Sequence, residues 1–138
     1  MYYPLLAATT ISTAVTASVS STTYTTRPFN SAFILCKFLY GADGTTAKAW
    51  VQCSADQGTT WHDVCNFAFT TSAATKFFNL SGMTAVTTQG TVADGTTGDN
   101  TAVDGALTNV FRVKYTTTGT YSGVTSLAVH LFTRDTDA

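Results

Sequence analysis
The chain has 138 residues, a length that suits one domain with a hydrophobic core of its own. Apolar residues make up 44% of it, which excludes a disordered chain, while charged residues are only 11%, less than half the usual share. The net charge of −1 and the scatter of the basic residues (Arg27, Lys37, Lys48, Lys76, Arg112, Lys114 and Arg134) exclude a phosphate-tracking patch, and with it a role in binding nucleic acid.

Threonine supplies the polarity that charge does not, at roughly a fifth of the residues. It favours strands and solvates a strand face without charge. It also costs less to desolvate than Lys or Glu, so such a surface suits a protein packed against neighbours.

Taken in chain order, Tyr2, Tyr3, Pro4, Leu5 and Leu6 form a small apolar patch with no basic residue before it. That is a poor secretory signal, and the expectation is a protein made and used without export. A terminal apolar segment frays unless it docks on something. Residues 1–12 are therefore expected as an arm laid on a neighbouring subunit, with these five as contact residues and 13–138 as one domain. Val15, Ala17 and Val19 alternate with Thr16, Ser18 and Ser20, which reads as a first strand, and Arg27-Pro28 breaks it. Phe33 to Tyr40 is aromatic and aliphatic on both faces, as in a central strand covered on both sides. Lys37 interrupts this longest apolar run, which is far too short to cross a bilayer, so no membrane role is expected. Gly41 to Gly44 is a turn.

Ala47, Ala49, Val51 and Cys53 then alternate up to the stretch Ser54-Ala55-Asp56-Gln57-Gly58-Thr59-Thr60-Trp61, which reads as a hairpin turn. Asp56 can accept the backbone N–H groups that follow it, Gly58 can take φ > 0, and Trp61 opens the return strand with a large ring to bury. On that strand Asp63 and Cys65 are expected on one face and Val64 on the other. A short strand follows around Lys76 to Leu80. Residues 82–106 are rich in Gly, Asp and Thr and read as a long loop, of a length that usually serves binding or assembly. Val110 to Tyr115 and Thr125 to Thr133 alternate again. Seven or eight strands with no helical periodicity predict an antiparallel β-sandwich, jelly-roll or immunoglobulin-like, with a small β-barrel as the alternative.

No residue set names a reaction, and the expectation is a protein that is not an enzyme, with no catalytic residues, no metal and no cofactor. Ser54, His62 and Asp63 do not make a triad, because adjacent strand residues point to opposite faces, and no Gly-x-Ser-x-Gly elbow occurs. His130 reads as a packed or interface histidine. The Asp-Gly pairs at 43, 94 and 104 and Asp99-Asn100 could offer oxygens to calcium, but Asp-Gly is first a turn signal. Cys36, Cys53 and Cys65 read as buried thiols, with a Cys53–Cys65 disulfide as the alternative. Trp50, Trp61, Tyr40, Tyr115 and Tyr121 could form a sugar-stacking platform, although most alternate in step with core residues.

Residues 54–61 match the Asp-box pattern, Ser-x-Asp-x-Gly-x-Thr-Trp, carried by Ser54, Asp56, Gly58 and Trp61. In sialidases and related propellers that motif recurs as a folding device away from the active site. A single copy in 138 residues cannot build a propeller at about 40–50 residues per blade, so the resemblance implies the hairpin and not the enzyme. With its late strand pair (Asn109 to Tyr115 and Val124 to Phe132), the chain resembles small structural proteins of tailed-bacteriophage virions over 46–133. That resemblance implies a capsid decoration or cement protein on the virion surface, assembled in the host cytoplasm. Its partners would be the major capsid protein and copies of itself, as in a homo-oligomer such as a trimer. A tail, neck or fibre component and a carbohydrate-binding β-sandwich module are the alternatives.

Overall fold
The structure is a computed structural model that describes residues 1–16, 18–19 and 22–135, with only the backbone of Ser18 and Val19. Ala17 and Ser20, part of the expected first strand, lie outside the described residues. Seven long strands carry the fold: β1 (Tyr2–Thr10), β4 (Ser31–Leu39), β6 (Thr46–Cys53), β7 (His62–Phe69), β8 (Ala74–Ser81), β9 (Val110–Thr118) and β11 (Ser126–Arg134). Four two-residue strands, β2 (Ser18–Val19), β3 (Tyr24–Thr25), β5 (Ala42–Asp43) and β10 (Tyr121–Ser122), raise the total above the seven or eight expected.

Apart from β5 and β10, which pair as a separate two-stranded ribbon, the strands form two antiparallel sheets, β1-β11-β4-β8 and β2-β9-β6-β7, with β3 also pairing β9. No strand of one sheet pairs with a strand of the other among the described residues, so the molecule is an open sandwich and not a barrel. Counting β2 and β3 as one interrupted strand, the pairs β1·β11, β2/β3·β9, β4·β8 and β6·β7 are those of a single long hairpin ribbon folded over on itself. The pairs β11·β4 and β9·β6 complete the two sheets. This is the jelly-roll order. In an immunoglobulin-like sandwich the last strand would lie beside its predecessor, whereas β11 lies between β1 and β4.

Alternation fixes which face is inside. Ala47, Ala49, Val51 and Cys53 of β6, Phe111 and Val113 of β9, and Val129 and Leu131 of β11 are fully buried. Val129 and Leu131 lie beside Cys36 and Ile34 of β4 in the first sheet, and with Phe38 they form one core with the buried residues of β6 and β9 in the second. All three cysteines are free and buried. Cys53 pairs with His62 and Cys65 with Val51, so the alternative disulfide is not formed. Burial pushes the Cys36 and Cys53 thiols up to about 12, and they pack as neutral apolar groups.

Two departures from the expected pattern are local. Residues 2–10 are not a loose arm: they pair with β11 as the edge strand of the first sheet, and Leu5 is 1% exposed in the core. On β7 the register slips between Val51↔Cys65 and Gln52↔Asp63, leaving Val64 as the extra residue of a β-bulge. The bulge puts Cys65 inward and Asp63 outward, where simple alternation had placed them together.

Candidate functional site
The two outer faces of the sandwich differ in kind. The outer face of the second sheet is covered by the chain itself. Its long loop returns over β7, with Asp63 N–H donating to Ala93 O at 2.7 Å, Asn66 N–H to Thr101 O at 2.8 Å and Val103 N–H to Val64 O at 2.8 Å. These bonds cap the edge of β7 as a further strand would.

A buried carboxylate latches the loop. Asp63, 4% exposed, accepts the backbone N–H groups of Gly95, Thr96 and Thr97 and the Thr97 hydroxyl, all within 2.8–3.0 Å. Gln52 Nε2 donates to both Asp63 and Asp94, and its Oε1 accepts from Arg112 Nε at 2.7 Å. Burial alone would raise the Asp63 pKa. The Gln52 amide and the N–H groups of Gly95, Thr97 and Thr96 outweigh it and hold the carboxyl below its ordinary value. Asp94 also meets Lys114 at 3.2 Å, Lys48 meets Asp99 at 2.9 Å, and the Arg112 guanidinium lies 4.4 Å above the Trp61 ring. The polar groups of residues 93–101 are thus largely engaged with the second sheet. Among the described residues no three His, Cys, Asp or Glu side chains cluster as a metal-holding set.

The hairpin turn is built by the residues named for it. Ser54 Oγ donates to Asp56 Oδ1 at 2.9 Å and accepts the Gly58 N–H at 2.8 Å. Asp56 accepts the Thr60 N–H at 2.7 Å, and Trp61 Nε1 donates to Gly58 O at 3.0 Å. The Thr60 N–H leads the contacts that lower the Asp56 pKa to about 2. Gly58 has φ +96°, as expected, and Gln57 has a positive φ as well. His62 Nε2 donates to Ala106 O at 2.7 Å, and the Asp63 carboxylate is filled by the loop, so the two share no chemistry. Trp50 and Trp61 are 7% and 8% exposed, which leaves neither ring as a sugar-stacking platform.

The outer face of the first sheet is bare among the described residues. Its register sets Tyr2, Phe132 and Phe33 side by side in one row, and His130, Leu35 and Phe77 in the next. Phe77 is 60% exposed, Tyr2 55%, and Leu39 and Phe132 44% each. The rings order one another: Phe33 and Phe77 stack at 4.8 Å, Tyr2 and His130 at 5.8 Å, and the Arg134 guanidinium lies 5.6 Å from the Phe132 ring. The Tyr2 hydroxyl and His130 Nδ1 are 2.8 Å apart.

Of the five terminal residues expected at an interface, only Tyr2 stands on this face. Leu5 is core, Leu6 and Pro4 are half-buried, and Tyr3 turns inward, its hydroxyl accepting the Arg27 N–H at 3.0 Å. The remaining residues of the patch were not singled out as a site, although the run Phe33–Tyr40, apolar on both faces, is its trace in the sequence. β4 is central as expected, but only one of its faces is covered. Comparison of the chain with protein-family models, with curated proteins and with solved structures found no match.

Proposed function
We propose that the protein is a non-enzymatic structural component of a virion, a decoration or cement protein that binds the outside of a phage head. The observation that carries this reading is the uncovered outer face of the first sheet, an aromatic and aliphatic surface that soluble monomers rarely expose. Its sequence is that of a strand covered on both sides, and the domain supplies only one of the covers. The second cover would be the capsid, through contacts with the major capsid protein. The charge-poor, threonine-rich composition supports the same reading, because little of the surface is costly to desolvate. The jelly-roll order recurs in capsid proteins and in lectins alike, so it agrees with the reading by analogy only.

The mechanism is mechanical. A stable contact of this kind buries about 800 Å² on each partner. Each copy bound across a capsomer junction adds its association energy to the assembled shell and not to the separated subunits. The expected result is saturable co-sedimentation of the purified chain with heads of the phage that encodes it. Replacing both Leu39 and Phe132 by Ser should abolish that binding and leave the fold unchanged by circular dichroism. Binding that survives both substitutions would remove this face from the account.

A further inference from the structure
The four sheet edges are not protected alike. β1 carries Pro4 and two register shifts, the β2/β3 edge consists of two-residue strands, and β7 is capped by the loop. Each is a known way of preventing strand addition. β8 has none of these: it pairs with β4 in unbroken register over eight residues and contains no proline.

Its outward-facing residues follow from the ladder. Thr133 N–H donates to Met1 O, so the odd residues of β11 bond β1 and the even ones bond β4. Through the β11·β4 and β4·β8 registers, Ala74, Lys76, Phe78 and Leu80 bond β4. Thr75, Phe77, Asn79 and Ser81 turn their N–H and C=O groups away from it. Ser81 is capped by Asp104 Oδ1 at 2.7 Å and by Gly105 N–H at 3.1 Å. Among the described residues nothing caps Thr75, Phe77 or Asn79.

We propose that this edge pairs with the same edge of a second copy, antiparallel about a two-fold axis through Phe77. The stretch is self-complementary. Phe77 would face Phe77 of the other copy on the outer face, and Thr75 would face Asn79 on either side of it. Each of these three pairs exchanges two backbone hydrogen bonds. The one charge on the strand does not oppose the pairing, because the Lys76 ammonium is turned under the sheet onto Ala68 O and Asn100 Oδ1. The first sheet then continues across the dimer, and the two bare faces join into one.

The pairing names the contact for self-association in the virion reading and rests on that part of it alone. Light scattering on the purified chain, without heads, should give twice the 14.6 kDa of one chain. Phe77→Pro removes an N–H that bonds nothing within the described domain, as an edge strand tolerates. It should halve the mass while leaving the far-UV spectrum intact. Phe77→Lys, which sets two ammonium groups on the axis, should do the same and decides the matter if the proline variant loses its β signal. A monomeric parent chain, or a dimer that persists in the folded variants, overturns the proposal. A dimer that ignores heads removes the virion reading and keeps the pairing; a monomer that binds heads does the reverse.

Discussion
Replacing Asp63 with Ala will release residues 93–101 from the second sheet and lower the stability by about 3 kcal/mol. The substitution removes one carboxylate and leaves the N–H groups of Gly95, Thr96 and Thr97 and one Gln52 amide bond without their acceptor. Hydrogen bonds to a charged group contribute about 1.5–3 kcal/mol each, but the loop can turn its N–H groups to water, so the loss is well below their sum. A denaturant midpoint measures the loss, and hydrogen exchange at 95–97 locates it. An unchanged midpoint together with unchanged exchange would show that the latch holds nothing.

The same carboxylates give the pH dependence a definite sign. Asp63 is held below its ordinary value, as are Asp94, first by the Gln52 amide, and Asp104, first by the Ser81 N–H. Asp56 lies at about 2, through the Thr60 N–H. In the unfolded chain each returns to about 3.9. Their stabilisation is complete above that value and is lost as the pH falls through the folded ones. The midpoint should therefore hold from neutral pH down to about 4 and fall below it. In Asp63→Ala that acid-side fall should be shallower.

The second large effect separates two neighbours on β1. Leu5→Ala should cost about 3 kcal/mol, the usual loss for truncating a buried leucine. Tyr2→Ala, at a side chain 55% exposed, should change stability by no more than about 0.5 kcal/mol and weaken attachment to heads instead. For the same reason, removing residues 1–8 would not leave an intact fold without its arm. It would bare the ladder of β11 and open the core at Leu5. A Leu5→Ala chain as stable as its parent would return the segment to the status of an arm.

Where side chains carry the information, the fold was legible in the sequence. β6, β9 and β11 bury the alternating residues expected of them, and the 54–61 turn uses Asp56 and Gly58 as their chemistry suggested. β1 was not legible as a strand. Pro4 and two bulges break the period of two, so Leu5 and the adjacent Leu6 read as a patch. The bulge at Val64 hid the latch in the same way, since alternation grouped Asp63 with Cys65. The course of the loop was illegible for a different reason: most of what the loop itself offers to β7 is backbone N–H and C=O, which every residue has. Gln52 gave no signal of its own, because it shares the polar face of its strand with Thr46 and Lys48. The bare face was half legible, because the sequence showed that Phe33–Tyr40 calls for two covers but not which face the domain leaves open.

Hydroxyl-radical footprinting of the chain, free and bound to heads, decides whether the bare face is the one that docks, because it reads the exposure of individual side chains. Leu39 and Phe132 should lose reactivity on binding, while Val86 and Val92, exposed on the loop beside β7, should keep theirs. Equal reactivity at Leu39 and Phe132 in the two states, or protection confined to the loop, would contradict docking through this face.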